Sequence, residues 1–100
     1  VRTMTETIHA AGQRFLGRYY TREQLVSTVC RPIVEYYSNP TTSNYTRLVQ
    51  TGGSLERGRS GEVIASFLTI IQSLNPILEF RHRVTEDIFN YRHQVVVSAR

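Results

Sequence analysis

Between Val63 and Val95 the apolar residues recur at steps of three and four, and a proline stands inside the series. Val63, Phe67, Ile70, Leu74 and Ile77 form one stripe, with Ile64, Leu68 and Ile71 beside it. Beyond Pro76 the series goes on through Phe80, Val84, Ile88, Tyr91 and Val95 in the same phase. A period of 3.6 residues puts such positions on one face of an α-helix. Asn75-Pro76 then admits two forms. One is a break, with Asn75 as cap and proline in the first turn of a new helix; the other is a single long helix kinked at the proline. Phase continuity favours the kink. A helix from Glu62 to Ser98 would be about 55 Å long at 1.5 Å per residue, against a radius of gyration of roughly 13 Å for a domain of this size. It would overhang its own domain, and the overhanging stripe would need cover from a second copy or another protein. The expected protein interface is therefore Phe67, Ile70, Leu74, Ile77, Phe80, Val84, Ile88 and Tyr91.

The rest of the chain also reads as helical. Met4, Ile8, Ala11, Phe15 and Tyr19 line one face of a first helix, roughly Thr5 to Tyr19, with Thr3 or Thr5 as cap. Thr21 to Gln24 spells a capping box, which opens the broad series Leu25, Val26, Val29, Cys30, Ile33, Val34 and Tyr37. Pro32 lacks a backbone donor and its ring clashes with the preceding turn, so this second helix must kink or restart near Arg31. Asn39-Pro40 stops it. A short helix follows over Ser43 to Gln50, with Tyr45, Leu48 and Val49 inward and Thr51-Gly52-Gly53 as its end. Gly52 to Gly61 reads as a mobile basic loop, and Ser60 as the next cap. No strand pattern is convincing, although Val95-Val96-Val97 is β-branched and could fray or extend. The expectation is one all-α domain over 1–100. It is a small bundle of four or five helices with a Pro-kinked second helix and a long C-terminal one, assembled as a dimer.

All twelve basic residues of the Lys and Arg class are arginine. Arginine presents a flat, always-charged fork that grips carboxylates and phosphates bidentately and stacks on aromatic rings, whereas lysine is a hydrated point charge. A formal charge of +4 and a pI near 9.7 favour an anionic partner. Cys30 is the sole cysteine and has no partner for an internal disulfide. That points to a reducing, intracellular compartment (cytoplasm, nucleus or organelle interior) and away from secretion. No apolar run approaches the length needed for membrane insertion.

Arg81, His82, Arg83, Arg92 and His93 make the densest basic cluster, and a spacing of eleven stacks Arg81 over Arg92 and His82 over His93. With Arg14 and Arg18 on the first helix and Arg57 and Arg59 in the glycine loop, the candidate anion or nucleic-acid contacts are Arg14, Arg18, Arg57, Arg59, Arg81 and Arg92. The blander reading is a solvated face whose arginines pair with Glu79, Glu86 and Asp87. Gly53 to Ser60 has phosphate-loop spacing, but arginine replaces the lysine and no strand precedes it. A helix-turn-helix would aim Thr42, Asn44, Tyr45 and Arg47 at a groove. His82 and His93 lack partners at metal-ligand spacing, and Cys30 lies on an apolar face without an adjacent base. No acid, base and nucleophile converge, so neither an enzyme nor a bound cofactor or metal is expected. Six tyrosines suit both protein interfaces and base stacking. The leading expectation is a non-catalytic interaction or assembly module, self-associating or docking on a larger complex through the apolar face of the C-terminal helix. The alternative is an arginine-rich nucleic-acid-binding protein for double-stranded RNA or DNA, of regulatory or viral type.

Overall fold

The chain's three prolines fall at helix starts or between helices. The structure is a computed structural model that describes residues 3–55 and 61–98. Its elements are α1 (Met4–Leu16), α2 (Arg22–Gln24), a π-helical turn (Leu25–Val29), α3 (Arg31–Ser38), α4 (Thr42–Ser54), α5 (Glu62–Leu74) and α6 (Leu78–Ser98). No strand occurs among the described residues, and Val95 to Val97 continue α6. Among the described residues six α-helices stand where four or five were expected, because the second helix is divided and the C-terminal one is broken.

Local chemistry sets these boundaries. Thr3 and Glu6 form a reciprocal capping box at the start of α1, in which the Thr3 hydroxyl accepts from the Glu6 amide at 3.1 Å. That helix ends at Leu16, a turn earlier than expected, and its buried line is Ile8, Gly12 and Leu16. Thr21 and Gln24 repeat the capping box at α2. The expected disturbance at Pro32 takes the form of a restart. Cys30 donates its amide to Leu25 O at 2.8 Å, five residues back, and α3 then begins at Arg31 with Pro32 in its first turn. An α-helical Pro32 would press its ring on the carbonyl four residues earlier, and widening the turn before it relieves that contact.

At Pro76 the structure corrects the favoured kink. Helix α5 ends at Leu74, and Asn75 adopts φ −135° and ψ 103°. A residue before proline is pushed out of the α region, and here nothing opposes that push. The Asn75 side chain accepts from the Ile77 amide at 3.0 Å, which turns the chain into α6. The continuous helix and its overhang therefore do not form, although the apolar phase is kept.

A second correction concerns Thr51-Gly52-Gly53. These residues do not end α4, which starts at the Thr41 cap and runs on to Ser54. Gly52 and Gly53 are buried where α4 crosses the other helices. A Cβ on Gly52 would stand 2.8 Å from Phe67 Cε2 and 2.9 Å from Ile88 Cδ1, and one on Gly53 would stand 2.6 Å from Tyr91 Cδ1. Any side chain there would hold the helices apart. The start of α5 is set by Gly61, whose φ of 79° lies in the left-handed region that glycine tolerates. The expected glycine loop lies mostly at 56–60, outside the described residues.

Helix α5 runs through the middle, buried on two stripes by Val63, Ile64, Phe67, Leu68, Ile70 and Ile71. It packs on α1 and α4, while α1 also meets the π-turn and α3, and α4 also meets α3 and α6. The Cα radius of gyration is 13.0 Å, that expected of a single globular unit of this length. No described helix is long and apolar enough to cross a membrane.

Candidate interaction surface

Helix α6 is gripped only along its middle. Val84 and Ile88 are its fully buried residues, with Phe80 and Tyr91 packed against the same core. From His93 to Ser98 every residue is exposed. The residues expected to form a protein interface are thus divided. Phe67, Ile70, Val84 and Ile88 lie in the chain's own core, Leu74, Phe80 and Tyr91 are half-buried against it, and Ile77 is 61% exposed. The physical reason is the pair of glycines on α4. They let α6 come close enough for α4 to cover the stripe that seemed to need a partner.

Of the exposed large apolar residues of α6, which are Leu78, Phe89, Val95, Val96 and Val97, three share one line of the helix. Leu78 is 62%, Phe89 49% and Val96 39% exposed. They are spaced by eleven and seven residues, so they lie within about 20° of one line along the helix. The intervening positions on that line are His82, Thr85 and Arg92. Next to it opens a cleft of about 440 Å³ lined by Gln72, Leu78, Arg81, His82, Thr85 and Glu86. The face thus presents both a projecting aromatic ring and a concavity one turn away. Sequence reading missed it because the inward stripe is the stronger periodic signal, and three apolar residues among polar ones do not stand out.

Among the described residues, the candidate anion contacts sit on separate elements. Arg14 on α1 and Arg18 just past its end are exposed, each laid over the next aromatic ring, Arg14 at 5.2 Å from the Phe15 centroid and Arg18 at 5.8 Å from Tyr19. Arg81 and Arg92 are half-buried. Arg81 donates to Gln72 Oε1 at 3.3 Å, and Arg92 donates to the Gly53 carbonyl at 3.4 Å, closing the α4–α6 contact. Helix α1 packs chiefly on α5, and α6 chiefly on α4. Arg57 and Arg59 lie outside the described residues.

The residues of the helix-turn-helix reading mostly join helices to one another. Asn44 donates to Asn39 O at 2.8 Å and Glu35 O at 3.4 Å, and Arg47 meets Glu35 at 2.7 Å, the carboxylate that also receives Arg31 at 3.1 Å. Tyr45 donates to Asp87 Oδ2 at 2.5 Å. Its ring belongs to an aromatic cluster in which Tyr36 stacks on Phe80 at 6.0 Å and meets Tyr45 edge-on at 5.7 Å. Arg83 covers the cluster, 5.1 Å from the Tyr45 ring and 5.5 Å from Phe80. Burial, and then the Asp87 carboxylate, hold the Tyr45 hydroxyl well above the usual phenol range. Burial pushes Tyr37 up to about 12, reinforced by Tyr36 and eased by Asn75.

Cys30 is buried against Gly12, where an added Cβ would come within 2.5 Å of its sulfur. Burial raises its thiol to about 11, so at neutral pH it is a small hydrophobe and no nucleophile. Among the described residues no three His, Cys, Asp or Glu side chains converge as a metal site. Comparison with protein-family models, with curated proteins and with solved structures gives no significant match for this chain.

Proposed function

We propose that the chain is a non-catalytic interaction module that docks through the Leu78–Phe89–Val96 line of α6. The observation that carries this reading is the exposure of three large apolar side chains on one line of the longest helix. Single exposed apolar residues are ordinary, whereas an aligned set beside a cleft marks a contact surface. Sedimentation of the purified chain and affinity capture with it, each repeated with Phe89→Asp, test the proposal. The expected result is an association that the substitution removes while helicity by circular dichroism stays unchanged. A chain that neither self-associates nor retains any protein, with or without Phe89, contradicts it.

A second reading, nucleic-acid binding, rests on the Arg14–Phe15 pair of α1 and the Arg18–Tyr19 pair just beyond it, exposed arginines laid over half-buried rings. Such pairs suit phosphate contact beside base stacking. Its test is a gel-shift series in salt, where phosphate contacts lose affinity steeply. Arg14→Ala with Arg18→Ala should weaken binding, and negligible affinity at low salt removes this reading.

A further inference from the structure

Arg83 stands on α6 one turn after Glu79 and one turn before Asp87, and among the described residues it forms an ion pair with neither. Asp87 is taken by the Tyr45 hydroxyl. The guanidinium lies instead over two rings, 5.1 Å from the Tyr45 centroid and 5.5 Å from that of Phe80. Contact with two rings holds a long side chain in place, and a cation–π contact leaves the N–H fork available to a carboxylate or phosphate. The cation is fixed, and no carboxylate of the chain pairs with it.

This guanidinium borders a cleft of about 290 Å³, lined also by Tyr36, Pro40, Thr41, Thr42 and Tyr45. The end of α3, the turn after it, the start of α4 and the middle of α6 meet there. No acidic side chain lines the cleft, whereas the clefts beside Gln72 and His9 include Glu86 and Glu6. Its threonines add hydroxyl donors. Thr41 accepts from the Asn44 amide at 3.1 Å, which leaves its own hydroxyl proton for an outside acceptor, and Thr42 is exposed beside it. The other walls are the rings of Tyr36, Tyr45 and Pro40.

We propose that this cleft binds a small aromatic oxyanion, a phosphate or carboxylate carried on a planar ring. The anion sits on Arg83 and the Thr41 and Thr42 hydroxyls, and the ring lies against Tyr36, Tyr45 and Pro40. A bare anion would use the donors and leave the ring walls in water; an uncharged ring would leave Arg83 unanswered. Size agrees with this choice. A cavity of about 150 Å³ holds a benzene ring, so 290 Å³ admits the ring together with its anion. The cleft shares no residue with the Leu78–Phe89–Val96 line, so it stands or falls separately from the docking surface.

Titration of the folded chain with phenyl phosphate, followed by side-chain NMR, tests the site. The ring signals of Tyr36 and Tyr45 and the methyl signal of Thr42 should shift together and saturate, with inorganic phosphate and phenol each binding about tenfold more weakly or worse. Arg83→Gln should cost about tenfold or more in affinity for phenyl phosphate. Arg83→Lys, which keeps the charge without the fork, should recover only part of it, and Thr42→Val should cost several-fold. Arg14→Ala with Arg18→Ala, on a different element, should change nothing. Circular dichroism checks each variant; where Arg83→Gln loses the fold, Thr42→Val at its exposed position carries the test. A short phosphotyrosine peptide that binds more tightly than phenyl phosphate makes a modified peptide the source of the ring, and equal affinity makes it a free small molecule. Absence of a saturable shift, inorganic phosphate binding as well as phenyl phosphate, or affinity that survives both Arg83→Gln and Thr42→Val overturns the proposal.

Discussion

Gly53 and Tyr91 are in direct contact, the glycine backbone of α4 against the tyrosine ring of α6, with 2.6 Å separating the ring edge from the position a Cβ would take. Arg92, the next residue, bonds the Gly53 carbonyl. This contact fixes α6 on the domain and leaves its other line uncovered. Gly53→Ala and Gly52→Ala should therefore destabilise the fold. Overpacking costs about 1–3 kcal/mol, and the better helix propensity of alanine returns about 1 kcal/mol. The expected net loss, up to ~2 kcal/mol, is read from urea unfolding. A gain in stability would mean that α4 and α6 separate at no cost.

Gly12 and Cys30 form a similar pair between α1 and the end of the π-turn. Gly12→Ala should destabilise, and adding Cys30→Ala should recover part of the loss by making room for the new methyl. In a double-mutant cycle the two should be non-additive by about 0.5–3 kcal/mol. The native thiol, raised to about 11 by burial, should react with a disulfide reagent at pH 8 only as fast as the chain opens. Rapid labelling of the folded protein contradicts that placement.

Stability should fall at alkaline pH. Tyr37, held at about 12, and Tyr45, raised by burial and Asp87, keep their protons longer when folded than the usual value near 10 of the unfolded chain. Their contribution is complete below pH 10 and is lost as pH rises through the folded values. Tyrosinate absorbance should include a late phase from Tyr37 and Tyr45, which ionise well above pH 10 or only on unfolding. Tyr45→Phe removes the bond to the Asp87 carboxylate at a cost of about 1–2 kcal/mol and should shrink that late phase. Six tyrosines ionising together near pH 10 would contradict the arrangement.

Asn75→Ala should cost about 1 kcal/mol, because the Ile77 amide loses the side-chain acceptor that starts α6. Asn75→Asp keeps an acceptor and should retain most of that stability. Equal losses in the two variants would show that the bond is dispensable.

The helical class, the capping box at Thr21 and the interruption at Pro32 were legible because they depend on local rules: hydrophobic period, threonine with glutamine three residues on, and a missing amide. The break at Asn75 was open to two readings because preserved phase says which face is buried, and Leu74 and Phe80 face the same core whether or not the backbone is continuous. Gly52 and Gly53 misled for a long-range reason. Glycine as a helix terminator and glycine as a close-contact residue look alike until Phe67, Ile88 and Tyr91, distant in sequence, are known to lie against it. The same contact decided the candidate site. Once α4 covers Val84 and Ile88, the weaker pattern of Leu78, Phe89 and Val96 is left exposed, and no local signal announced it. Arginine's dominance was visible at once, but its use was not. Arg81, Arg83 and Arg92 bind Gln72, the aromatic cluster and Gly53 within the chain.

Side-chain NMR over a concentration series reads the docking surface residue by residue. With rising concentration of the protein itself, or of a protein captured with it, the methyl signals of Leu78 and Val96 and the ring signals of Phe89 should shift or broaden together, while those of Ile70, Val63 and Leu48 in the core stay fixed. Spectra unchanged across the series, or changes confined to residues away from that line of α6, such as Val26 or Tyr19, would contradict the account.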